Sequence, residues 1–239
     1  MNLHASNLPK CVAMLGAMGL AWALAACQPV APSQPAPMGA MSAGSADPQA
    51  SIQDMDPAEQ QRLIGALRSG GYIIYFRHGA TDPNQTDSDP SNLTNCATQR
   101  NLTDAGRAQA RFIGEAFRSL GIPVGTVLSS QYCRAIEYSQ IAFNAASPDR
   151  SLNLTDPLGD YDKADSVRSI KRLLATPPMP GMNTILVSHS PNIRLATDVD
   201  LPVEGEAAIF RVQGAGTNKL ITRVLPTEWQ VLAQSPSAI

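Results

Sequence analysis

The stretch that decides the fold is GYIIYFRHGATDPN, from Gly71 to Asn84. Tyr72 to Phe76 is a continuous apolar, β-branched and aromatic run, the pattern of a strand covered on both faces. It stops at once in Arg77, His78 and Gly79. A cation and one of only three histidines in the chain thus stand side by side where a buried strand gives out. Thr184-Ile185-Leu186-Val187 is a second clear buried strand, and it ends in Ser188-His189. In open α/β sheets, ligands bind beyond the carboxyl ends of the strands, so both histidines fall where chemistry is expected.

Between and around these strands the pattern alternates. Pro57 to Ser69 carries Leu63, Ile64 and Leu67 at helical spacing, with Gly70-Gly71 as a stop. Residues 82–100 are polar and aperiodic, a long loop. Thr103 begins a helix that Gly121 closes; Val124 to Ser129 reads as a strand, Cys133 to Ala146 and Asp165 to Ala175 as helices. Ala207 to Val212 and Lys219 to Leu225 read as a closing strand pair around Gly214-Ala215-Gly216. The expected fold is a three-layer α/β/α domain with a mostly parallel central sheet.

The front of the 239-residue chain is different. MNLHASNLPK is followed by an apolar run from Cys11 to Cys27, the layout of a secretory signal rather than a membrane span. Leu24-Ala25-Ala26-Cys27 resembles a bacterial lipobox, which implies cleavage before Cys27, its lipidation, and anchoring at the periplasmic face of the envelope, with Gln28 favouring the outer membrane. The Pro/Ala/Ser/Gly-rich piece that follows cannot bury enough apolar surface to order itself. The expected organisation is a signal peptide over 1–26, a tether over 27–56 and a folded domain over 57–239. Cys96 and Cys133 are then an even pair in an oxidising compartment, expected as a disulfide. A net charge of −2 offers no nucleic-acid-binding surface.

Four elements in order resemble the histidine phosphatase superfamily, the fold of phosphoglycerate mutase. They are Arg77-His78-Gly79, then Asn101-Leu102-Thr103 with Gly106, then Ser129-Ser130 with Arg134, and last Val187-Ser188-His189-Ser190. The resemblance implies hydrolysis of a small phosphomonoester through a phosphohistidine on His78, with no metal or organic cofactor. Arg77, Arg134 and His189 would stabilise the transferring group. Gly79 would allow close approach of backbone, and Asn84 would donate to a phosphate oxygen. Ala80 stands where mutase-like members have Glu, which weighs against mutase activity.

The proton donor is expected at Asp156, in Leu154-Thr155-Asp156-Pro157-Leu158-Gly159, with Asp160, Asp162, Glu204 and Glu206 as rivals. Two other functions compete. A metal site would draw on the histidines and aspartates, but no closely spaced ligand pair occurs. A non-catalytic envelope lipoprotein would keep the fold to bind a phosphorylated ligand.

Overall fold

Strand β1 (Tyr72–Arg77) lies at the centre of the molecule, with its first five residues buried. The computed structural model describes residues 51–155 and 163–234. Around β1 are β2 (Val124–Ser129), the two-residue β3 (Ser147–Pro148), β4 (Asn183–Ser188), β5 (Ala207–Gln213) and β6 (Thr217–Val224), in the sheet order β3-β2-β4-β1-β5-β6. The run β3-β2-β4-β1 is parallel; β5 is antiparallel to both β1 and β6.

Side chains alternate across a strand, so a strand covered on both faces feeds two cores. Ile74 and Phe76 enter one core with α1 (Pro57–Ser69), α2 (Asp104–Leu120), α3 (Cys133–Phe143) and α6 (Glu228–Gln234). Ile73 and Tyr75 enter the other, with α4 (Lys163–Ala175) and α5 (Ser190–Thr197). This is the expected three-layer α/β/α arrangement with a mostly parallel central sheet. The first core is closed by an aromatic group in which Phe117 lies 4.7 Å from Trp229 and 5.3 Å from Phe143, centroid to centroid.

Helix ends follow their cap chemistry. Thr103 accepts from the Gly106 N–H and starts α2, and Gly121 ends it in the left-handed region at φ 66°. Helix α3 stops at Asn144 (φ 52°), three residues before the expected end. Two short helices, α5 and α6, had no counterpart in the sequence reading.

The tether expected over 27–56 is too long at its C-terminal end. Residues Ile52–Asp54 form a 3₁₀ turn capped by Ser51, and Ile52 is buried in the first core. Ser51 also bridges Arg223 of β6. One apolar residue in a polar run has no period to betray it, yet its burial draws the turn into the domain.

Candidate active site

The register of β1 with β4 builds the site. Arg77 pairs with Ser188, so the next residues, His78 and His189, emerge side by side at one lip of the sheet. The His78 N–H donates to the Ser188 carbonyl at 3.0 Å, and the two rings sit edge to face with centroids 5.2 Å apart. Both histidines are buried.

His78 has a defined tautomer. Its Nδ1 is 2.9 Å from the Gly79 carbonyl oxygen, which only accepts, so Nδ1 carries the proton. Nε2 therefore presents its lone pair, and the Arg134 Nε–H donates to it at 3.2 Å. Burial, reinforced by the Arg134 charge, holds His78 well below the ordinary imidazole range and keeps it neutral. Burial holds His189 well below that range too, with Arg134 and then His78 adding to the effect. Ser130, at the end of β2, places its Oγ 2.9 Å from His189 Nε2. His189 Nδ1 is buried and has no hydrogen-bond partner among the described residues.

Gly79 is required for space rather than for its dihedral angles. A Cβ there would meet the Tyr138 ring at 2.9 Å, while φ is outside the left-handed region. The close neighbour at Gly79 is thus a side chain of α3.

Arg134, in the first turn of α3, is fully buried. Asp87 holds its fork at both ends, at 2.9 and 3.1 Å, and the Arg100 carbonyl accepts a further bond at 3.1 Å. Burial lowers the Arg134 pKa and Asp87 opposes that shift, so the guanidinium stays charged. Its carbon lies 4.5 Å from the centre of the Tyr132 ring, which in turn packs edge-on to His189. The loop carrying Asp87 and Arg100 is stapled to α3 by a disulfide between Cys96 and Cys133, Cα atoms 5.7 Å apart. The Gln99 side chain reinforces the join by accepting from the Cys133 N–H at 2.9 Å.

Arg77 is held by the carbonyls of Leu201 and Pro202 at 3.1 and 2.5 Å, and Glu204 lies 3.6 Å from it. The same Glu204 carboxylate accepts from the Thr81 N–H and hydroxyl. Glu206 is buried against Arg223 at 2.9 Å, a structural pair on the far side of the turn.

These residues surround a cavity of about 320 Å³, lined by Arg77, His78, Arg134 and His189 together with Arg100, Arg194, Ser190 and Asp200. Asn84 is not among its walls: it is exposed and bonds to Asp82 in its own turn, at 2.9 and 3.1 Å. Asp156, Asp160 and Asp162 lie outside the described residues. Sequence reasoning missed Arg100, Arg194, Asp87 and Asp200. Arg100 stands just before the Asn101-Leu102-Thr103 element, and Pro191 at the start of α5 is a helix signal that would have placed Arg194 one turn beyond His189.

A larger groove of about 1080 Å³ adjoins the cavity and shares Leu154 with it. Its walls mix apolar Leu93, Tyr132 and Ile136 with Arg107, Glu137 and Arg150. Chemically, the smaller cavity offers a neutral nitrogen nucleophile, planar cations for an oxyanion, and a carboxylate on its rim.

Residues 73–162 match the histidine phosphatase superfamily (branch 1). The chain is 30% identical over 135 residues to the mitochondrial serine/threonine-protein phosphatase Pgam5 of Drosophila grimshawi, covering 54% of this chain and 38% of that protein. The Drosophila virilis counterpart is 34% identical over 113 residues, 45% of this chain and 32% of that protein. The chain thus spans less than two fifths of either relative. Among solved structures, the protein histidine phosphatase SixA complexed with tungstate superposes with a TM-score of 0.48 at 17% identity, covering 66% of this chain and 98% of that one. Bacillus stearothermophilus YhfR gives 0.47 at 16% identity, with 63% and 95% coverage. The RHG strand end and the buried arginine lie in residues 73–162, the segment that matches the histidine phosphatase superfamily, and the second strand-end histidine, beyond that segment, meets them around the same cavity.

Proposed function

We propose that this protein hydrolyses a small phosphomonoester in the bacterial cell envelope, through a covalent phosphohistidine on His78. The observation that carries the proposal is the state of His78. A neutral ring, anchored through Nδ1–H to the Gly79 carbonyl, turns its Nε2 lone pair toward the Arg134 guanidinium inside a cavity walled by Arg77, Arg100 and His189. Phosphoryl transfer demands little of a protein beyond such a nucleophile and a preorganised set of donors for the equatorial oxygens. In the first step the His78 Nε2 pair attacks phosphorus and the ester oxygen leaves. In the second, water attacks phosphorus and the N–P electron pair returns to the ring.

The adjoining groove gives room for the organic part of the ester. The envelope location rests on the signal-like N-terminus ending at Cys27, the proposed lipid anchor, and on the Cys96–Cys133 disulfide, a bond that persists in oxidising compartments. The test is labelling with a phosphoryl-labelled aryl ester, quenched in alkaline detergent. The wild type should trap an acid-labile, base-stable phosphoryl group, and His78→Ala should trap none and turn over no ester. Full turnover by His78→Ala would end the proposal.

A further inference from the structure

We infer that Asp200 is the carboxylic acid that protonates the leaving oxygen and then takes a proton from the attacking water. The inference rests on the phosphatase reading above. Among the described residues lining the catalytic cavity, Asp200 is the one carboxylate.

The other described acids near the site are already engaged. Both Asp87 oxygens bind Arg134, and one also accepts from the Arg100 N–H. Glu204 spends its two oxygens on Thr81, and Glu206 is divided between Arg223 and the Val203 N–H. Asp200 has one oxygen fixed, Oδ1, which accepts from the Ser190 hydroxyl at 2.9 Å. Among the described residues, no hydrogen bond engages Oδ2. The bond to Ser190 ties the acid to the residue that follows His189.

The backbone around Asp200 is pinned. Val199 and Leu201 are buried on either side, the Asp200 carbonyl accepts from Arg223 at 3.1 Å, and the Leu201 carbonyl holds Arg77. One short segment therefore positions both the carboxylate and a cation that opposes the phosphate. The balance is complete. The P–O bond breaks as the His78 N–P bond forms, and the ester oxygen leaves as the alcohol with the Asp200 proton. Water then attacks phosphorus, its proton passes to the Asp200 carboxylate, and the N–P pair returns to Nε2.

The test compares two leaving groups. The steady-state kcat/KM of wild type, Asp200→Asn, Asp200→Glu and Asp156→Asn is measured on glycerol 2-phosphate, whose alkoxide needs a proton, and on 4-nitrophenyl phosphate, whose phenolate leaves with little help. Asp200→Asn should lose on the order of 100-fold on the alkyl ester, within the usual range for a general acid, and tenfold or less on the aryl ester. Asp200→Glu should recover part of the alkyl activity. Equal losses on both esters would make Asp200 a structural residue and overturn the assignment. So would the selective loss appearing in Asp156→Asn instead. A wild type inert toward both esters would overturn the phosphatase reading and the assignment with it.

Discussion

Arg134 is a fully buried cation whose charge is answered chiefly by Asp87, 47 residues earlier in the chain. Taking away one partner of such a pair costs roughly 3–5 kcal/mol, because the charge left behind is desolvated and unpaired. Here the lower end applies. After Asp87→Ala the guanidinium keeps the Arg100 carbonyl at 3.1 Å and the face of Tyr132 at 4.5 Å. Asp87 is also the less buried member, with a side chain 16% exposed. We expect a loss of about 3 kcal/mol, read as a lower urea midpoint at unchanged slope. For a domain of this size, that corresponds to a melting temperature lower by roughly 6–12 °C.

The double variant decides whether the pair is the cause. Arg134→Met with Asp87→Leu removes both charges together, and an apolar replacement of a buried pair is often neutral or better. The double variant should therefore be more stable than Asp87→Ala while having no phosphatase activity, since Arg134 also donates to His78 Nε2. A loss below about 0.5 kcal/mol in Asp87→Ala would refute the reasoning, as would a double variant no more stable than the single one, because neither fits a buried unpaired charge.

Three further outcomes follow from the same contacts. Both site histidines are held well below their ordinary range, so protons bind the unfolded chain first; their contribution to stability is complete above the unfolded value near 6.5 and is lost as pH falls below it. Urea unfolding should lose roughly 2 kcal/mol from this source between pH 7 and 5.5, and a His78→Gln, His189→Gln double variant that keeps the full dependence would contradict it. Gly79→Ala should cost roughly 1–3 kcal/mol through its clash with the Tyr138 ring, and Tyr138→Leu in the same chain should restore part of it; calorimetry showing no recovery would locate the strain elsewhere. Reducing the Cys96–Cys133 bridge, which closes a separation of 37 residues, should cost up to about 4 kcal/mol by loop entropy, measured as the shift in urea midpoint with and without reductant. No shift would mean that Asp87 and Gln99 hold the loop unaided.

Much of this domain was legible because its strands are long apolar runs and its site residues follow them directly. Ile73 to Phe76 and Ile185 to Val187 each feed both cores, so neither could be mistaken for a surface strand. Once β1 and β4 are neighbours in parallel register, His78 and His189 must meet. What stayed hidden has a common physical form. Helix α5 is eight residues long and follows the strand after the single residue His189, so it offers barely two turns in which a period can be recognised. Arg100 and Asp87 sit in a loop whose position depends on a disulfide and on contacts with α3, and nothing in the order of a polar loop says which of its residues will turn inward. Asn84 shows the converse: a residue at a promising spacing is consumed by Asp82, its neighbour in the same turn.

The identity of an acid poses a harder problem than the identity of a nucleophile, and the difference is one of partners. Histidine is scarce here, so position alone singles out His78 and His189. Carboxylates are plentiful, and whether one can move a proton depends on whether its oxygens are already occupied. Glu204 and Asp87 both stand in loops that follow a strand-end histidine, yet each holds a cation or a backbone N–H in place and would release its partner on becoming protonated. Asp200 differs because one oxygen suffices to hold it, leaving the other for the reaction. That distinction is invisible to motif and spacing and follows from the contacts of a folded chain. It is also why the leaving-group experiment on Asp200 and Asp156 tests more than a single residue: selective loss in Asp200→Asn would show that this domain takes its acid from the segment that positions Arg77, coupling proton transfer and phosphate binding through one short stretch of backbone.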